Sequence, residues 1–495
     1  MSSGIFRTKS IEQTLQDTEE PEHKLKKNLG ALDLIVFGVG VSVGAGIFVL
    51  TGHAAATNAG PAIALSFLIA GLGCGLAALC YAELASSVPA AGSAYTYTYA
   101  TMGEMLAWII GWDLILEFTV GAAALATSFS QYLGVVLAGT PFAIPEAIAT
   151  AEHGYLNLPA GVLVIGLMFV LISGVKLSSR INQVVTGIKV LVVLTVIIAG
   201  AFFINVANWS PFIPPASTPP PTESGALHLP LVQTLFGLEP SVFGVAGVFA
   251  AAAMVFFAFI GFDVVATTAE ETRNPQRNMP IGIFGSLAIV TLLYMAVSLV
   301  ITGMQNYKDI DPADGAPLAT AFVNVGLPVM ANLISIGACI GLIVVCMILF
   351  LGQTRVGFAM ARDHLLPVSL AKTHPRFGTP YRFTILAGIP IAILATFVPL
   401  STLAELVNIG TLAAFILVSI GVIVLRKSRP DLQRSFKVPW VPVVPIASAL
   451  LCFYLMLNLS LETWIRFVVW LVIGFIVYFA YSRKHSKLNT VETKP

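Results

Sequence analysis

The first hydrophobic segment, Leu34 to Leu50, constrains this chain most: it is apolar enough to lie in a bilayer, yet it carries Gly38, Gly40, Gly44 and Gly46. Each interior glycine costs a helix about 1 kcal/mol relative to alanine. A backbone N–H or C=O left unpaired in hydrocarbon costs several kcal/mol more. A break in such a helix survives only where it faces protein or a water-filled cavity, so the glycines point to a functional interruption. The competing reading is close helix packing, which Gly40 and Gly44 at i, i+4 would also serve.

Composition sets the environment. Of 495 residues, 57% are hydrophobic and 10% charged, with a mean hydropathy of +0.88, whereas about a quarter of a soluble domain is charged. This reads as an all-α polytopic membrane protein. Cys74, Cys80, Cys339, Cys346 and Cys452 all fall in apolar runs without metal-ligand or paired spacing, so they read as packing residues, and no metal or cofactor is expected. The first 28 residues are polar and mixed in charge, with no short apolar core before a small-residue cleavage site. The first spanning helix is therefore expected to act as the insertion signal.

Runs of about 20 apolar residues suffice to cross a bilayer. They occur at 32–53, 60–86, 104–135, 158–176, 180–204, 243–271, 279–303, 327–360, 381–399, 402–425, 441–458 and 463–481, which predicts twelve transmembrane helices. With an internal N-terminus, all 26 Lys and Arg except Lys189, Lys308 and Arg466 fall inside, as the positive-inside rule requires. A second interruption is expected in helix six, where Phe256 to Phe262 runs straight into Asp263. Breaks in helices one and six are what two inverted five-helix repeats predict, with the substrate site at the bilayer midplane. The expected organisation is a cytoplasmic segment 1–30, a first repeat 31–205 and an extracellular linker 206–240 rich in proline and free of Lys and Arg. A second repeat 241–426, a cytoplasmic loop 427–440, helices eleven and twelve in 441–482 and a cytoplasmic tail 483–495 follow.

Several stretches carry a resemblance. They are Lys27 to Leu34, Gly44-Ala45-Gly46-Ile47-Phe48, Phe259-Ile260-Gly261-Phe262-Asp263, Glu270 to Pro275, Gly352-Gln353-Thr354-Arg355, Met360-Ala361-Arg362-Asp363, Arg429-Pro430-Asp431-Leu432 and Phe436 to Trp440. In these the chain resembles the cationic amino acid transporter branch of the amino acid/polyamine/organocation superfamily, in its twelve-helix prokaryotic form. The resemblance implies a multi-pass protein of the cell membrane that carries amino acids by alternating access.

An amino acid zwitterion needs donors at one end and acceptors at the other, and two broken helices supply both from the backbone. N–H groups at Gly44, Ala45 and Gly46 would meet the carboxylate. Carbonyls near Ser42, and near Phe257, Ala258 and Ile260, would accept from the ammonium. The resemblance assigns these same positions to substrate binding, and where some relatives carry a hydroxyl this chain has Ala45. Phe257, Val344 and Met347 are expected to form the selectivity wall. That wall suits a small neutral substrate such as alanine, while the family name implies arginine or lysine.

Intramembrane ionisable residues are functional candidates by default. Glu117 and Asp263 read as gating or proton-coupling groups, Asp113 and Glu405 as interfacial or paired. Lys189, alone in an apolar helix, must find acceptors or shed its charge. The resemblance likens it to a helix-five lysine that stands where sodium-coupled relatives bind their ion. That implies a proton as the coupling ion, with sodium-independent exchange as the alternative. His53 reads as interfacial, Gly71, Gly73 and Gly75 as close packing, and the cations of 426–437 as orientation signals that could also touch anionic lipid. Glu270 to Arg277 reads as a salt-bridged element of the inner gate. No motif for hydrolytic, metal or phosphate chemistry is present, no nucleic-acid partner is expected, and a channel would need rings of like charge that these scattered residues do not make. A sensor on a transporter scaffold is the alternative from another class.

Overall fold

Helix dominates because, in hydrocarbon, a segment can satisfy its own backbone groups in no other open form. The computed structural model describes residue 7 and residues 29–87, 93–151, 154–174, 179–218, 225, 227–261, 265, 268, 272–432, 434 and 436–488. Among them the chain is helical within each of the twelve predicted runs, and the only extended pairings are isolated bridges such as Leu29 with Thr272. Among the described residues, seven helical spans are by length and composition long and apolar enough to cross a membrane, and five further apolar helices are shorter.

The first run divides into α1 (Ala31–Ser42) and a second half at 46–59, here α2, which winds through two π-helical turns. Gly60, at φ +56°, turns the chain into α3 (Ile63–Ser87); this left-handed conformation is open to glycine at little cost. Next come α4 (Ser93–Thr101), α5 (Glu104–Leu137), α6 (Leu158–Ile172) and α7 (Ser179–Ala201). After the linker come α8 (Gly244–Val255), α9 (Pro275–Met304), α10 (Pro317–Asn324) and α11 (Pro328–Arg362). Then follow α12 (Tyr381–Phe397), α13 (Leu400–Ser428), α14 (Val443–Leu457) and α15 (Leu461–Val477).

Burial separates centre from rim. The apolar windows of α5 and α11 are 83% and 78% buried, against 22% for α15, so α5 and α11 form the central pair and α15 lies against lipid. Small residues let these helices approach: Cys346 Sγ of α11 lies 3.3 Å from the Ala122 carbonyl of α5, and α12 packs on α11 where Phe383 covers Gly357. On the rim, Trp112 Nε1 donates to the Trp470 carbonyl and Trp470 Nε1 donates back to the Trp112 carbonyl, at 2.9 and 3.1 Å. This reciprocal pair fixes α15 on α5.

The cations of 426–437 have partners that sequence spacing could not show. Arg426 grips the fully buried Glu83 of α3 with two hydrogen bonds of 2.9 and 2.6 Å, and Arg434 lies 3.4 Å from the same carboxylate. Arg426 and Arg434 thus tie the end of α13 and the following loop to α3.

Candidate functional site

The two expected interruptions are real and touch each other. α1 stops at Ser42, Val43 leaves helical geometry at ψ 89°, and helix resumes at Gly46. The N–H groups of Gly44 and Ala45 reach no acceptor among the described residues. Opposite, α8 stops at Val255, a 3₁₀ turn covers Phe256–Phe259, and Ile260 is extended. At Gly261, φ is +136°, and a Cβ there would lie 2.9 Å from Ser42 Oγ and 3.0 Å from Ser42 N. A Cβ on Gly46 would land on the Cβ and Cα of Ala258. Glycine is needed at 46 and 261 so that the breaks can meet.

The carbonyls freed by the breaks are held by side chains. Tyr294 of α9 directs its one hydroxyl at two of them, Ser42 O at 2.6 Å and Ala258 O at 2.7 Å. Its ring is wedged against Phe67 and Phe259, each with a centroid 5.3 Å away, so the hydroxyl has little freedom. Lys189 of α7, fully buried, donates to Gly40 O and, at 3.2 Å, to Val43 O. Its stem lies on Gly341 of α11, where a Cβ would collide with Lys189 Cδ. Asn408 of α13 donates to Met254 O at 2.8 Å, steadying the end of α8, and its buried Oδ1 has no donor among the described residues.

Ser42, Ala45, Phe257, Ala258 and Ile260 are all buried around this junction. Met347 is half-buried and packs against the core. Helical phase puts Met347 on the half-exposed stripe of Ile340 and Leu351, while the α11 side chain nearest Gly44 is Val345, whose Cγ1 would lie 3.7 Å from a Cβ there. Leu125 of α5 is closer still, at 3.1 Å, and Leu349 and Phe257 flank Gly121. Val344 sits a quarter-turn from Val345 and is 9% exposed.

The acidic candidates separate. Glu117 and Asp113 are buried on α5, and Asp113 faces Gly410 of α13. Asp263, like Glu270 and Glu271, lies outside the described residues. Glu405 accepts from Ser460 and Thr463 at 2.6 Å each, at the start of α15, which agrees with its reading as a paired structural group. At the end of the bundle bearing loop 305–316, a small open cleft is lined by His53 of α2, Gln131 of α5, Asp314 and Ser401 among others. His53 Nδ1 lies 2.8 Å from the Pro312 carbonyl, and burial pushes the Asp314 carboxyl up from its ordinary range.

Sequence reasoning missed Tyr294, Asn408, Leu125 and Val345. The first two carried a signal, since a phenol or an amide within an apolar span needs a partner. The last two did not, because an aliphatic residue in an apolar helix looks the same whichever way it points.

Comparison with known proteins adds the family context. Residues 29–480 match the family model described as amino acid permease. The methylthioribose transporter of Bacillus subtilis (strain 168) is 46% identical over 491 residues, 98% of this chain and 100% of that protein. The branched-chain amino acid permease BcaP of the same organism is also 46% identical, over 99% of this chain and 100% of its own length. Cationic amino acid transporter 2, vacuolar, of Arabidopsis thaliana is 41% identical over 87% of this chain and 64% of its own.

Proposed function

This chain belongs to the amino acid permease family, whose members are transporters and not enzymes, and from that premise we propose a proton-coupled secondary transporter of L-amino acids with aliphatic side chains. It works by alternating access in the cell membrane, with both termini in the cytoplasm. The observation that carries this reading is the junction of the two breaks, with unpaired N–H groups on Gly44 and Ala45 and two carbonyls, Ser42 and Ala258, sharing one hydroxyl. The N–H groups suit a carboxylate. An ammonium brings three donors where Tyr294 brings one, so a zwitterion satisfies acceptors that Tyr294 alone leaves short.

Leu125, Val345 and Phe257 wall the junction with apolar surface, which favours an aliphatic side chain over a sugar or a guanidinium. Backbone contacts hold the carboxylate, because Ala45 offers no hydroxyl. Lys189 is the coupling group: protonated, it holds α1 to α7 through Gly40 and Val43, and without its charge those carbonyls lose their donor. Glu117 and Asp263 act as gating or proton-linked groups beside the substrate.

The test is uptake into liposomes of labelled valine, alanine, arginine and methylthioribose, with pH and sodium gradients imposed separately. Valine or alanine uptake driven by an inward proton gradient, and lost in Lys189→Met, is the expected result. Uptake that needs sodium and ignores pH, or transport of methylthioribose alone, would overturn it.

A further inference from the structure

Apart from Arg426 and Arg434, which Glu83 engages, one group of solvent-exposed cations lies in the connection from α11 to α12. Lys372, Arg376 and Arg382 are exposed there and His374 is half-buried, and no Asp or Glu occurs from His364 to Ala404. None of these cations forms a salt bridge among the described residues. Their side chains stay near the surface instead: Arg382 Nε bonds Tyr381 Oη at 3.0 Å, and Arg376 lies 5.6 Å from the ring centroid of Phe377, itself 42% exposed.

Helical phase fixes the depth of this patch. Arg382 shares a stripe of α12 with Leu386, Ile389 and Ile393, each 53% exposed, one turn apart. An exposed aliphatic stripe on an apolar helix faces acyl chains, so the guanidinium at its end lies at headgroup level. Thr379 Oγ1 donates to the Ile172 carbonyl of α6 at 2.7 Å, which seats the loop between two helices at the rim. Cations without acidic partners, flanked by an exposed aromatic ring at that level, match a phosphate carrying an anionic headgroup.

We propose that Lys372, Arg376 and Arg382 form a binding site for the headgroup of an anionic phospholipid. The site rests on membrane embedding alone and not on the substrate assigned above. Each cation near an anionic surface contributes about 1 kcal/mol, or about 5-fold in affinity, so three contribute on the order of 100-fold. The experiment is native mass spectrometry of the full-length protein in detergent, titrated with phosphatidylglycerol or phosphatidylcholine. Lys372→Gln/Arg376→Gln/Arg382→Gln should weaken the first phosphatidylglycerol bound by on the order of 100-fold and leave phosphatidylcholine unchanged. Arg376→Lys/Arg382→Lys should keep most of the affinity, which separates charge from any loss of fold. Unchanged phosphatidylglycerol binding in the Gln variant would overturn the proposal. So would an equal loss in Lys427→Gln/Arg429→Gln, or displacement of the lipid by an equimolar amount of glycerol 3-phosphate.

Discussion

Gly46 and Tyr294 decide whether the two interrupted helices can meet. Any side chain at position 46 enters the space of Ala258, so Gly46→Leu is expected to abolish uptake while the protein still inserts and elutes as a monodisperse species; normal uptake by this variant would remove the junction from the mechanism. Tyr294→Phe keeps the ring between Phe67 and Phe259 and deletes only the hydroxyl. Two buried carbonyls then share no donor, and one carbonyl left unsatisfied costs about 1–3 kcal/mol. The expected outcome is a lowered melting temperature and at least 10-fold slower uptake, read by a thermal melt and by initial rates. The glycines and Lys189 were legible from the sequence because hydrocarbon punishes any unpaired polar or irregular backbone. Val345 was not, because picking it out requires the rotational phase of α11 relative to α1.

Among the elements, the helical character of the apolar runs was readable from their length, since this follows directly from bilayer thickness. Links between distant elements were not. Arg426 looked like an orientation signal because Glu83, its partner, lies 343 positions away in the chain. The loop over α2 offers a test at this scale. Asp314 receives the Ala316 N–H at 2.8 Å, yet burial is the largest influence on it and raises its pKa above 3.8. A carboxyl raised in the folded state destabilises that state as pH climbs past 3.8 and through the raised value, and carries no penalty below 3.8, where both states are protonated. Asp314→Asn keeps an acceptor for Ala316 without the charge. The variant should therefore melt at a higher temperature than the parent at pH 7, with the gain shrinking towards pH 4. A gain that is constant with pH would assign the effect to something other than ionisation.

For the molecule as a whole, the buried pair α5 and α11 provides the frame, and the broken helices α1–α2 and α8 meet beside Leu125 and Val345 of that pair. Relatives of equal identity are named for methylthioribose and for branched-chain amino acids, so the same scaffold is compatible with ligands that share no charged groups. The central claim here is that the junction recognises a zwitterion through its backbone. Its most direct test is ligand binding to the purified protein, by equilibrium dialysis or thermal stabilisation. The amino acid that binds best would be compared with its decarboxylated amine, its deaminated acid and methylthioribose. The account predicts saturable binding of the intact amino acid, at least 100-fold weaker binding of either truncated analogue, and none of methylthioribose. Binding of the amine or the acid within a few-fold of the parent, or saturable binding of methylthioribose, would contradict it.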